Sequence, residues 1–216
     1  MLIEQMKIWE GIFGKEYTDR NLQSFQEMEN LHRKFFGMSR TEMNSQFLGA
    51  LDRSLKILEI GCNIGDQLLC LQKMGFNNLS GVELQSYAAA IARTRLNNIE
   101  IFCGSVFDLP VKTESFDFIF TSNVLIHIKP IDIKNALAEI YRCTRRYIWG
   151  LEYFAREYQE IKYRDRRNLL WKTDFVKLWQ MHFPSLKLVK EKHFKYLENE
   201  NIDTMFLLEK NENTLS

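Results

Sequence analysis

Glu59, Gly61, Asn63 and Gly65 alternate through the stretch ILEIGCNIG at residues 57–65, and Glu83 follows 18 residues after Gly65. A glycine turn between a strand and a helix brings backbone and helix N-terminus close to a ligand. A dinucleotide turn needs a third glycine to seat a pyrophosphate. Here that glycine is missing, and Glu59 places a carboxylate at the turn, where it would repel phosphate. The same carboxylate suits a cation. Asn63 tolerates the left-handed backbone that a tight turn requires. A carboxylate ending the next strand, as Glu83 does, can accept both hydroxyls of a ribose. A nucleoside that carries positive charge and no phosphate meets all of these demands. S-adenosylmethionine, with its ammonium and sulfonium, is such a molecule.

A second set of residues could act on an acceptor. His127 follows an apolar strand, and as a neutral imidazole near its ordinary pKa of ~6.5 it could remove a proton from an alcohol or ammonium. The alternative is a histidine that hydrogen-bonds a loop and packs. Glu152 and Tyr153 end another strand and could bind sugar hydroxyls or amides, or simply be solvated there. Residues 156–172 carry six Lys/Arg against three Asp/Glu, interleaved with Tyr158, Tyr163 and Trp171. Arginines such as Arg164 and Arg167 match carboxylates, and rings such as Tyr163 stack on sugars. That segment reads either as a contact for an anionic acceptor or as a solvated, helical charge face. Tyr17 and Arg20 precede the core; Trp9, Phe13 and Tyr17 could form a lid, with Arg20 near a cofactor carboxylate. No nucleophile–base pair and no carboxylate pair at metal spacing is present, so no metal is expected.

The elements that must position these groups follow from the hydrophobic pattern. The chain of 216 residues suits one domain with small additions, and 45% hydrophobic residues suffice for a sizeable core. Residues 1–54 read as helical. From 56 onward apolar runs alternate with helical spacing. Strands are expected at 56–60, 79–84, 99–104, 116–123 and 146–153, with helices at 65–74, from Ser86 as cap, and around 131–142. Such alternation builds a mostly parallel sheet with right-handed crossovers. After a polar, aromatic-rich stretch at 154–183, residues 186–194 and 203–210 read as an antiparallel terminal hairpin.

Composition narrows the function classes. Lys+Arg 29 against Asp+Glu 28 gives no basic surplus for a nucleic-acid backbone. Cys62, Cys70, Cys103 and Cys143 show no zinc or C-x-x-C spacing and read as free, mostly buried thiols of a reducing compartment. The N-terminus lacks a signal-peptide pattern, and no apolar run approaches the ~20 residues of a bilayer span. A cytoplasmic protein is expected, its oligomeric state open.

The motifs LEIGCNIG, GVEL, GSVFDLP and SFDFIFTSNVLIHI resemble the class I S-adenosylmethionine-dependent methyltransferases over roughly residues 55–210. That resemblance implies an α/β, Rossmann-like fold: a seven-stranded, mostly parallel sheet of order 3-2-1-4-5-7-6, its seventh strand antiparallel. Here it would carry an N-terminal helical layer, giving a cap at 1–54 and a methyltransferase domain at 55–212 with an acceptor-side insertion at 154–183. It also implies that Glu59, Gly61 and Asn63 line the methionine part of the cofactor with Gly65 completing the turn. Glu83 would hold the ribose and Leu84 touch the adenine. Ser105 stands where many members carry an aspartate facing the adenine amine, with the backbone at Val106 beside it; Ser122 and Asn123 close the set.

A narrower resemblance runs along nearly the whole chain. FGKEYTDRN (13–21), VLIHI (124–128), YRCTRRYI (141–148), EYF (152–154) and FLLEK (206–210) are similar to the methylases associated with pseudaminic acid biosynthesis. It implies methyl transfer to an oxygen or nitrogen of a bacterial surface sugar in a nonulosonic-acid or related pathway, with a small anionic sugar as partner. A protein side chain or lipid-linked glycan as acceptor, or a catalytically idle cofactor-binding partner in glycan assembly, are the competing readings.

Overall fold

The computed structural model describes residues 4–211. Residues 1–3 and 212, which the sequence-based domain bounds include, lie outside the described residues. The chain divides into two compact units, Met1–Pro110 and Val111–Ser216.

The first unit opens with four helices, α1 (Glu4–Glu10), α2 (Ile12–Arg20), α3 (Phe25–Phe36) and α4 (Arg40–Leu48). The helical reading of residues 1–54 agrees with this. α3 and α4 start at full capping boxes, in which Ser24 pairs with Glu27 and Ser39 with Glu42. Each box satisfies two of the backbone N–H groups that a helix start leaves orphaned. β1 (Ile57–Ile60), α5 (Asp66–Lys73), β2 (Leu79–Glu83), α6 (Ser86–Arg95) and β3 (Glu100–Cys103) follow. β1 and β2 are buried at every position, as parallel strands covered on both faces must be. The three strands pair in parallel, Glu59 opposite Gly81 and Glu83 opposite Cys103. One detail differs from expectation: the cap of α6 is Gln85, whose side chain accepts from the Tyr87 N–H. Ser86 is instead the first helical residue.

The second unit holds β4 (Phe116–Ser122), a single 3-10 turn (Leu125–His127), α7 (Ile133–Cys143), β5 (Thr144–Tyr153), β6 (Gln159–Glu160), β7 (Trp171–Lys172), α8 (Phe175–His182), β8 (Lys187–Lys195) and β9 (Ile202–Glu209). Its core gathers Phe118, Phe120, Trp149, Leu151 and Phe206, all fully buried. β4 and β5 are parallel, whereas β9 runs antiparallel to both β5 and β8. The terminal hairpin is present as expected. The segment 156–172 is not helical. It forms the small antiparallel pair β6–β7, joined by a loop in which Arg164, Asp165 and Asn168 take left-handed backbone. The second half of the polar stretch contains α8, whose Phe175, Val176, Leu178 and Trp179 are buried.

The principal sheet has the order β3-β2-β1-β4-β5-β9-β8. With the short β6 and β7 set aside, this is the expected 3-2-1-4-5-7-6 with the last strand antiparallel. Gly150 makes the β5–β9 contact possible. It sits opposite Phe206, and a Cβ at this position would lie 2.2 Å from that ring. Gly150→Ala is therefore expected to destabilise the protein by about 1–3 kcal/mol, as overpacking does. A urea midpoint equal to wild type would contradict it.

Candidate active site

In the first unit, the chain leaves β1 through three left-handed residues in quick succession: Gly61 (φ 69°), Asn63 (φ 46°) and Gly65 (φ 82°). Glycine adopts this region freely and asparagine with little cost. A side chain on Gly65 would also collide with Leu96, whose Cδ1 lies 2.3 Å from the Cβ position. The Gly61 and Cys62 N–H groups donate to the Val82 carbonyl at 2.8 and 3.1 Å, which ties the turn to β2.

Glu83 completes the tie. Its Oε2 accepts from the Asn63 N–H and its Oε1 from the Gln85 N–H, both at 2.7 Å. Burial pushes its carboxyl up, while the N–H groups of Gln85, Asn63 and Leu84 pull it down. Each carboxylate oxygen keeps a second lone pair, so the two backbone bonds do not use up its accepting capacity. Glu59 lies deeper. It is 3% exposed, and desolvation holds its carboxyl well above the usual range, against the pull of Arg40. Burial thus disfavours the charged form that the sequence suggests. Glu59 Oε2 and Asn63 Oδ1 are buried acceptors with no hydrogen-bond partner. Such orphans are costly and call for a donor. Leu84 is half-buried. The Ser105 hydroxyl accepts from the Phe107 N–H at 3.2 Å and points its hydrogen towards Met6 Sδ, 3.6 Å away. Val106 follows it, half-buried.

The N-terminal helices fasten onto the same residues. The Gln85 amide nitrogen reaches the carbonyls of Trp9, Glu10 and Gly11 at 3.3, 2.6 and 3.1 Å. The Asn63 amide donates to Thr18 Oγ1 at 3.4 Å, and the Tyr87 hydroxyl to Asp19 at 2.7 Å. Trp9 packs edge-on against Phe13 and Tyr17, with centroids 5.2 and 5.4 Å away. Arg20 pairs with Glu16 at 3.9 Å. Gln85, Thr18 and Tyr87 carried no signal in the sequence beyond their nearness to Glu83 and Tyr17.

In the second unit, Ser122 ends β4 and Asn123 takes left-handed backbone (φ 56°). The Asn123 N–H donates to the Leu151 carbonyl at 2.8 Å, and its buried Oδ1 has no partner. The 3-10 turn that follows carries His127. Its Nδ1 lies 2.7 Å from the Leu169 carbonyl. A carbonyl only accepts, so Nδ1 carries the hydrogen and the neutral ring's lone pair is on Nε2. Burial depresses its pKa to about 4, opposed by the bond to Leu169. This differs from the ordinary histidine value expected from sequence, because the ring is half-buried against Tyr163, 5.6 Å away.

Glu152 is fully buried rather than solvated at a rim. Its two oxygens accept from the Val124 and Ile126 N–H groups. Tyr153 is half-buried, with Tyr196 at 6.0 Å and the Lys172 ammonium 5.0 Å above its ring. Arg164 stands over Tyr163 at 5.9 Å, and Arg164 and Arg167 are exposed. Trp171 is 6% exposed and serves the core, so it offers no face to a sugar. Among the described residues, no group of three His, Cys, Asp or Glu could hold a metal ion, and no helix is long and apolar enough to cross a membrane. Cys103 is exposed; Cys62, Cys70 and Cys143 are buried free thiols.

The sheet order and its antiparallel last strand are those of a Rossmann-like fold. Residues 57–146, less than half of the chain, match the family model described as a methyltransferase domain. The chain is similar in structure to the 1,6-didemethyltoxoflavin-N1-methyltransferase of Burkholderia thailandensis, solved with 1,6-didemethyltoxoflavin and S-adenosylhomocysteine. The TM-score is 0.71 at 14% identity, over 98% of this chain and 92% of that one. In sequence it is 28% identical over 103 residues to an uncharacterised protein of Haemophilus influenzae, covering 45% of this chain and 41% of that protein. It is 27% identical over 98 residues to 24-methylenesterol C-methyltransferase 2 of Arabidopsis thaliana, covering 42% of this chain and 26% of that protein. The matched region thus spans less than half the length of these two relatives.

Proposed function

We propose that this protein transfers the methyl group of S-adenosylmethionine to an oxygen or nitrogen of a bacterial surface sugar of the nonulosonic-acid type. The observation that carries the cofactor assignment is the triple left-handed turn closed by Glu83, with buried orphan acceptors on Glu59 and Asn63. Gly61, Asn63 and Gly65 shape a pocket for the methionine part, and the orphan oxygens await its ammonium. Glu83 accepts from the ribose hydroxyls, and Leu84, Ser105 and Val106 border the adenine. Tyr17 and Arg20 belong to the helical layer that Gln85 fastens. When bound, the cofactor supplies an electrophilic methyl on a sulfonium.

The second unit supplies the acceptor groups. Tyr163, Arg164 and Arg167 offer a ring face and guanidiniums to a carboxylate-bearing sugar, and Tyr153 a hydroxyl. His127 takes the proton that an alcohol or ammonium acceptor must lose, since its tautomer puts the lone pair on Nε2. Incubation with labelled S-adenosylmethionine and a panel of free and nucleotide-linked nonulosonic acids tests the acceptor class. Label entering a panel member supports it; label entering only a protein side chain or a lipid-linked glycan overturns it. With the panel acceptor, Arg164→Ala and Arg167→Ala are each expected to raise the acceptor KM roughly 1.5–5-fold, the range of exposed charge pairs. The cofactor KM should stay in place. Equal shifts in both constants would return this loop to a solvated charge face.

A further inference from the structure

Glu152 is the one ionisable residue of β5 between Ile148 and Tyr153, in a stretch whose Ile148, Trp149 and Leu151 belong to the core. A carboxylate there costs several kcal/mol of desolvation unless it is well bonded. Its backbone hydrogen bonds go to one turn. Oε1 accepts from the Val124 N–H and Oε2 from the Ile126 N–H, each at 3.3 Å. The Leu125 N–H and the Thr121 hydroxyl lie near enough to favour its charged form. These N–H groups belong to the start of a single 3-10 turn, where no preceding helical carbonyl can satisfy them. The next residue of that turn is His127.

We propose that Glu152 is a positioning residue: its carboxylate grips the backbone N–H groups of Val124 and Ile126, fixes the turn that presents His127, and loosens that turn when it is protonated. An anion accepts at both oxygens, and such bonds are roughly twice as strong as neutral ones. A protonated carboxyl turns one oxygen into a donor that faces a donor. The catalytic consequence rests on the reading of His127 as the base; the grip on the turn does not.

The titration falls within reach of ordinary buffers. Burial raises Glu152 to about 7, and the donors around it oppose that rise. Other titratable groups on the packed elements have partners of their own. Asp117 on β4 pairs with Arg145, Lys172 on β7 with Asn201, Asp203 on β9 with Tyr196, and His127 with Leu169. In α7, Glu139 pairs with Arg142. Tyr153, adjacent on β5, has its phenol raised by burial and does not ionise in this range. The turn is therefore locked above about 7 and loosened below it. Global stability moves the other way. A carboxyl raised on folding contributes stability below its unfolded value, and that contribution is lost as pH rises through about 7. Ionised Glu152 thus gives up overall stability while it orders one turn.

Carbon-13 carboxyl and nitrogen-15 NMR of the full chain, with and without S-adenosylhomocysteine, tests this. The expected result is one titration near 7 shared by the Glu152 carboxyl and the amides of Val124 to His127. In Glu152→Gln, a mimic of the protonated form, the step should vanish from those amides while S-adenosylhomocysteine affinity holds. Should that variant fail to fold, the wild-type carboxyl and Glu152→Asp decide the matter. A Glu152 carboxyl titrating in the ordinary carboxylate range, or turn amides that ignore its titration, overturns the proposal. Failure of S-adenosylhomocysteine to bind overturns the cofactor reading instead, and leaves the turn titration to be read in the free chain.

Discussion

His127→Asn is expected to lower kcat by roughly 10²–10⁴, about 2.7–5.5 kcal/mol of barrier, with S-adenosylmethionine affinity held. Asparagine can keep a hydrogen bond to the Leu169 carbonyl, to which the ring donates at 2.7 Å through Nδ1–H. It removes only the basic nitrogen. The pH profile separates a base from a packed ring. Burial keeps wild-type His127 neutral down to about 4, so its base form persists through neutrality and activity falls as pH drops through that value. That limb should be absent from the variant. A limb near 7, if it comes from Glu152, should remain in His127→Asn and disappear in Glu152→Gln. A variant with near-normal kcat and an unchanged profile would make His127 structural, with alignment alone driving transfer.

Glu83→Ala is expected to weaken S-adenosylmethionine binding by about 1.5–3 kcal/mol, or roughly 10- to 150-fold in Kd, the worth of charge-assisted bonds. The structure adds a second loss. Glu83 also secures the Asn63 and Gln85 N–H groups at 2.7 Å, so truncation releases the turn itself and the residue that anchors the N-terminal helices. Glu83→Gln separates the effects. It keeps the shape and one acceptor but sets an amide N–H against a backbone N–H, and should bind with intermediate affinity. Calorimetry on both variants, with circular dichroism to confirm folding, checks the order. Equal affinity across wild type and both variants would remove Glu83 from the cofactor site.

The fold was legible because its signals are local. β1 and β2 are short runs led by apolar residues and buried at every position, the glycines sit between strand and helix, and α7 spaces Ile133, Leu137 and Ile140 along one face. The turn was legible for the same reason, since Gly61, Asn63 and Gly65 each need the left-handed region. What stayed hidden depends on contacts distant in sequence. Nothing in EYF marks Glu152 as a buried partner for N–H groups 28 and 26 residues earlier. Likewise the Gln85 side chain finds its partners 76 to 74 residues earlier. The loop at 156–172 looked helical in charge pattern, yet left-handed backbone at Arg164, Asp165 and Asn168 breaks any helix there. Trp171 read as a stacking ring and is instead core, 6% exposed on the short β7. The shift at His127 was equally invisible, as burial sets it and composition does not.

Calorimetric titration of the full chain with S-adenosylmethionine, S-adenosylhomocysteine and NAD tests the central claim most directly. Saturable binding of the first two with micromolar-range Kd, about −8 kcal/mol, and no heat with NAD is the expected result. Binding of NAD with no response to either sulfur nucleoside would contradict the account at its base, because the turn closed by Glu83 would then cradle a pyrophosphate after all.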